Sequence, residues 1–328
     1  MAGVTQNQTS RRAALAGALA VGLSACSSKS TNDPVKTAGT SGTPAGGSST
    51  TPAPSSTPPA GKTLPGGART ILPQHRLVGY CGMPGAPALG ELGATNDLQA
   101  QIDKMMKVVK QYDDGTVKPL PVMELITTVV HPYAGRDGMF RERLDPKVIG
   151  EWSKAAEDNG AILLLDIQPG LASFLDEAKA YEEWLLKPHI GLALDPEWAI
   201  KPGQIPGKVF GTTTGAKVDE VAAYLSGLVK ENDLPEKALI VHVLRRSIFT
   251  EESGLKQHPG VLVIKSVDGI GVPADKVKAY DAVMKGTPSN IKGGFKIFYQ
   301  EDTAGGGPLM KPDEVLALSP RPDYVMYE

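Results

Sequence analysis

The chain has 328 residues, with 34 Lys and Arg against 36 Asp and Glu, for a formal net charge of -2. That balance gives no basic excess, so no nucleic-acid partner is expected. The two cysteines, Cys26 and Cys81, are too few for a disulfide framework. The composition is uneven along the chain, so its length sets no domain count until the first segments are set aside.

The N-terminus reads in three parts. Arg11 and Arg12 form a short basic region, and Ala13 to Ser24 is apolar, small and too short for a permanent membrane span. Leu23-Ser24-Ala25-Cys26 closes the segment. This ending resembles the lipobox of bacterial lipoproteins, which implies a signal peptide over 1–25 and diacylglycerol on the Cys26 thiol. An ordinary secretory signal with a chance cysteine is the other reading. Ser10-Arg11-Arg12 before the apolar run resembles a twin-arginine signal, and the general secretory route stays open beside it. With Cys26 lipidated, Cys81 has no intramolecular partner and is expected to be buried and inert.

Residues 26–69 hold the lipidated cysteine and a linker. From 27 to 66 the chain is almost entirely Ser, Thr, Pro, Gly and Ala. Such a segment buries too little apolar surface to offset its ordering entropy, so it is expected to be disordered. A flexible chain of that length spans roughly 35 Å. It would hold the following domain off the outer face of the membrane.

From residue 70 to 328 the pattern changes to short apolar runs alternating with helical periodicity. Strands are expected over 76–82, 120–127, 161–167, 190–194, 238–243, 261–267, 294–299 and 323–327. Helices are expected over 96–111, 146–159, 171–186, 217–232 and 273–285. Asn96 is read as an N-cap, Gly160 as a C-terminal glycine and Pro273 as a first-turn proline. The fifth and seventh helices are poorly defined, and no helix follows the last strand. Eight such units predict an α/β fold, a (β/α)8 TIM-type barrel. An open doubly wound sheet is the competitor, and the lack of a glycine-rich fingerprint after the first strand favours the barrel.

In a barrel the chemistry gathers at the carboxyl ends of the strands. There the sequence places Tyr80, Glu124, Asp166, Gln168, Asp195, Glu197, Trp198, His242, Tyr299, Glu301 and Asp302. Acidic residues end strands three, four, six and seven, each after an apolar stretch. Crowded carboxylates repel, and raised pKa values among them suit acid–base work. Asp195 and Glu197 are two apart around Pro196, with Trp198 beside them. Paired carboxylates with aromatic platforms are what glycosidic cleavage needs. Asp195, Glu197, Asp166, Glu301 and Glu124 are therefore the candidate catalytic residues. Tyr80, Trp198, Gln168, His242, Tyr299 and Asp302 are the candidate substrate contacts. The five histidines are scattered without a zinc spacing, so neither metal nor cofactor is expected.

A carboxylate after strand four and another after strand seven resembles the layout of retaining enzymes in the largest clan of barrel glycoside hydrolases. That resemblance implies Glu197 as acid/base and Glu301 as nucleophile, although Pro196 stands where the clan has Asn. Asp195-Pro196-Glu197 also resembles the end of the chitinase strand-four motif, whose earlier acidic positions are Ile190 and Ala193 here. The stretches Leu89-Gly90-Glu91-Leu92-Gly93, Asp166-Ile167-Gln168-Pro169-Gly170 and Asp195-Pro196-Glu197-Trp198 resemble a secreted actinobacterial lipoprotein family, a likeness that implies export and the barrel but no activity. The expectation is a monomeric, lipid-anchored envelope protein that hydrolyses a glycan. The alternative is a non-catalytic barrel that binds a saccharide or an envelope partner.

Overall fold

A computed structural model describes residues 61–328. The expected signal peptide, Cys26 and the expected linker up to residue 60 lie outside the described residues. Eight parallel strands close into a barrel: β1 His75–Gly82, β2 Lys118–Val130, β3 Ile162–Ile167, β4 Ile190–Leu194, β5 Lys237–Val243, β6 Val261–Val267, β7 Ile291–Ile297 and β8 Tyr324–Tyr327. Each pairs with its neighbours in chain order, and β8 closes against β1 with Leu77 opposite Tyr324. The open-sheet alternative is thereby excluded.

The helices form where caps and apolar faces coincide. α1 Leu98–Val109 starts two residues later than the expected 96–111, and its cap lies one residue later, because the Asp97 side chain, not Asn96, accepts from Ala100 N. α2 Pro146–Asp158 begins with proline after the Asp145 cap and ends before Gly160, whose φ of 62° suits glycine. The helix expected over 171–186 is two pieces, α3 Phe174–Ala180 and α4 Glu182–Leu185. Its first residues are lost to a loop in which Gly170 sits at φ 60°; a Cβ there would meet Met139 O at 2.2 Å. α5 Gly215–Glu231 follows the Thr214 cap, α6 is Pro273–Met284, and α7 is the short Pro312–Leu316. Between β5 and β6 the described residues form no α-helix, only a short strand at Phe249–Thr250 and one 3-10 turn.

Two further features were not read from the sequence. β2 runs past the barrel to pair antiparallel with Arg141–Arg143. That hairpin is clamped by Arg141 and Arg143 on the wholly buried Glu177 of α3. Residues 61–69, expected in the linker, are part of the folded body. Leu64 is buried with Ile71 in the same apolar cluster as Leu77, Leu120, Ile162 and Leu262.

Alternation along the strands sorts the core into two bodies. Leu77, Val122, Leu164, Ala193, Ile240, Ile264 and Tyr324 fill the lumen. Val78, Met123, Leu165, Leu192, Val241, Val263 and Phe295 face the helices. The lumen is narrow enough to dictate glycine at Gly79, where a Cβ would lie 1.6 Å from Val122 O.

Candidate active site

Continuing the lumen alternation toward the carboxyl ends changes its chemistry. Apolar side chains give way to Cys81, Glu124, Asp166, His242, Asp268, Lys296 and Glu328. His242 is the centre. Its Nδ1 lies 2.8 Å from Asp268 and its Nε2 3.3 Å from the Glu124 carboxylate. Tyr324 donates to Glu124 Oε2 at 2.7 Å, and Ser266 to Asp268 Oδ1 at 2.8 Å. Lys296 reaches Glu328 at 2.6 Å and lies 3.9 Å from Asp268. The Cys81 thiol points at Glu328 Oε2 from 3.6 Å.

Burial and pairing together set the protonation states. Burial opposes a charge on His242, but Asp268 and Glu124 override it and hold the imidazolium well above its usual range. Burial would likewise raise the Glu124 pKa, yet His242 and Lys296 leave it lowered. Lys296 resists burial through the surrounding acids and stays cationic. Burial, with no other cause as large, pushes the Cys81 thiol well up, which agrees with the inert role expected of it.

Asp166 is the exception. It is 4 % exposed, and burial pushes its pKa up to about 7, with Glu124 adding to the rise and His242 opposing it. Its Oδ1 is buried and has no hydrogen-bond partner among the described residues. A carboxyl that titrates near neutrality, beside a fixed imidazolium and a fixed ammonium, can give or take a proton during a reaction.

The remaining predicted residues divide by the face they occupy. Asp195 follows β4 at the lumen edge, and its backbone N–H donates to Ile167 O, one residue past Asp166. Glu197 is buried in the turn Pro196–Trp198, while Trp198 is half-buried. Glu301 lines a small cavity of ≈ 70 Å3 with Tyr299, Glu91 and Glu328 at the same end of the barrel. Tyr80 faces away from the lumen. Its hydroxyl pairs with that of Tyr299 at 2.8 Å, and its ring packs against Tyr299 and Tyr327. The Gln168 side chain accepts from Val130 N and braces the end of β2. Asp302 is buried against Lys276 at 2.9 Å and accepts from Gly271 N and Phe298 N, so it ties loops together.

Asp268, the acid that ends the sixth strand, Glu328 at the end of the eighth, and Lys296 belong to the cluster without having been named as candidate site residues. Lys296 left a signal: it is the one cation inside Gly293-Gly294-Phe295-Lys296-Ile297. Among the described residues no group of three or more His, Cys, Asp or Glu side chains is placed to hold a metal ion. No described helix is long and apolar enough to cross a membrane. No protein-family model matches this sequence, and no curated protein matches it either.

Proposed function

We propose that the chain is a lipid-anchored envelope protein whose barrel mouth hydrolyses a glycan by acid–base catalysis. The supporting observation is Asp166, a carboxyl that burial poises near neutral pH within a fixed frame of charges. In this reading Asp166, rather than Glu197, protonates the leaving glycosidic oxygen, because its proton is retained while its lumen neighbours Glu124, Asp268 and Glu328 are ion-paired. Asp195, at the same lumen edge, is the second carboxylate. It attacks the anomeric carbon or orients water, as the two-carboxylate mechanism requires. His242 and Lys296 act by charge. Held cationic, they stabilise the carboxylate that Asp166 becomes on giving up its proton. Cys26 carries the lipid, and the linker presents the barrel to envelope saccharides.

A non-catalytic, saccharide-binding barrel is the second reading. The observation that favours it is that the mouth cavity is lined by Glu91, Tyr299, Gln300, Glu301 and Glu328, with neither Asp166 nor Asp195 among its walls.

A screen of cell-envelope polysaccharides for new reducing ends separates the two. Hydrolysis of one polymer, lost by at least 10²-fold in Asp166→Asn, is expected from the size of general-acid effects. The melting temperature of that variant should not fall. Saccharide binding without turnover would sustain the second reading. Full turnover in Asp166→Asn would remove Asp166 from the chemistry.

A further inference from the structure

The exposed large apolar side chains among the described residues are Tyr133, Met139 and Val209. All stand at the mouth end of the barrel. Tyr133 and Met139 are on the loop that continues β2, and Val209 is on the loop that follows β4. The loop after β3 joins the two. Leu171 N donates to Met139 O at 2.9 Å, and Ile200 N donates to Gly170 O at 3.0 Å. Just past Val209 the chain returns, with Gly211 N donating to Glu197 O at 2.6 Å. The loops are thereby sewn into one shelf, with Asp166 on β3 and Asp195 after β4 at its foot.

The shelf is preorganised and accessible. Phe140 sits at φ 58°, a strained value for a bulky residue. It is pinned there by donating to Ala134 O and accepting from His131 N, both at 2.9 Å. Arg141 and Arg143 tie the base of the loop to Glu177. The Tyr133 ring lies parallel on the buried His131 ring, with centroids 4.9 Å apart and 6° between the planes. One face of Tyr133 is thus covered, yet the residue is 52 % exposed, so its other face is open to water. Beyond Val209, the Arg245 guanidinium lies over the half-buried Phe210 ring at 4.3 Å.

The apolar side chains are interspersed with exposed Arg136, Asp137 and Lys208. An open ring among polar groups matches a sugar, which has an apolar C–H face and a hydroxylated rim. Strand register gives its place relative to the acids. Ile126 is the β2 partner of Asp166, and Val130 lies about 13 Å further along the strand. Tyr133, stacked on His131 just past that point, is more than one sugar ring away from Asp166.

We propose that this shelf holds a polysaccharide at sugar units beyond the one being cleaved, with the open face of Tyr133 as the platform for one of them. The inference rests on the reading of the mouth as a glycan hydrolase. It sharpens the substrate class to a chain of several sugars in place of a simple glycoside.

Affinity electrophoresis of the full chain tests this in gels that carry soluble mannan, xylan, dextran or glycol chitin. At least one polymer is expected to retard the protein, and its monosaccharide at the same sugar concentration should not compete. Tyr133→Ala should weaken the retardation about ten-fold, the upper size of an aromatic stacking contact. Tyr133→Phe keeps the ring and should bind as the parent does. The melting temperature of both variants should not move, because Tyr133 is exposed. On a polymer that is hydrolysed, the loss in Tyr133→Ala should fall on KM more than on kcat. Absence of retardation by every polymer, unchanged retardation in Tyr133→Ala, or equal competition by the monosaccharide overturns the proposal. Hydrolysis with an unchanged KM in Tyr133→Ala also overturns it, while leaving Asp166 in place. Tyr133-dependent retardation without turnover of any polymer would instead remove the hydrolysis and keep the shelf as a binding surface.

Discussion

The two ends of the barrel lumen are made from the same alternating strand positions and do opposite work. At the amino end Leu77, Leu120, Ile162, Ala238 and Leu262 pack with Leu64 and Ile71, and the lumen is sealed by hydrocarbon. Four residues further along three of the same strands, Glu124, Asp166 and His242 replace it, and Lys296 joins them from β7. Burying apolar side chains stabilises each by about 1.5–3 kcal/mol. Burying charges costs several kcal/mol per ion before pairing returns part of it. The carboxyl end is therefore the end at which the fold gives up stability, and Asp166 is the group least compensated for it. A protein with no use for that layer would do better by continuing the hydrocarbon upward.

The contrast can be broken by mutation. Removing the imidazole in His242→Ala leaves Glu124 and Asp268 buried and facing each other, which should cost about 3–5 kcal/mol in chemical denaturation. A loss below 1 kcal/mol would mean that the charged layer is wetter and cheaper than its burial implies. Leu164→Ala acts on the sealed end, where the leucine packs tightly enough that a Cβ on Gly191 would lie 3.0 Å from its Cδ2. It should cost about 3 kcal/mol, within the range of cavity-forming substitutions. Its effect on glycan turnover per folded molecule should be negligible. A proportional loss of activity would show that the two ends are not separable.

Much of this division was legible in the sequence, and the illegible part has a physical cause. Strands buried on both faces read as continuous apolar runs, so their existence shows but their facing does not. All eight barrel strands are found close to where their apolar runs predict them. Tyr80 and Cys81 are adjacent in one such run, and only the closed barrel reveals that Cys81 enters the lumen while Tyr80 joins Tyr299 and Tyr327 outside. Asp302 followed the same apolar stretch as Glu301, yet a single position separates a loop tie from a cavity wall. Lys296 was visible as a charge inside a buried strand, the kind of local violation that marks a site. The absent fifth helix was visible as weak periodicity. The exposed shelf around Tyr133 was not, because exposure depends on what the neighbours fail to cover.

The mildest test of the contrast is a pH slope. The Asp166 carboxyl, with an ordinary value of 3.8, is raised to about 7 in the folded chain. Between those values the folded state binds more protons than the unfolded one. Stability should therefore fall as pH rises through 4 to 7, by up to about 1.4 kcal/mol per pH unit. Glu124 is shifted down, so its contribution is lost only as pH falls below its ordinary range, the opposite sign. The His242 contribution is fully present below 6.5 and is lost only well above, as pH passes its raised folded value. Both contributions are present across pH 4.5 to 6.5, so within that window the change with pH of the difference between Asp166→Asn and the parent follows Asp166. Denaturation curves at pH 4.5, 5.5 and 6.5 should thus converge at low pH and separate in favour of the variant as pH rises. Parallel curves would mean that Asp166 ionises freely at the mouth, and that the charged end carries no stored cost for catalysis to use.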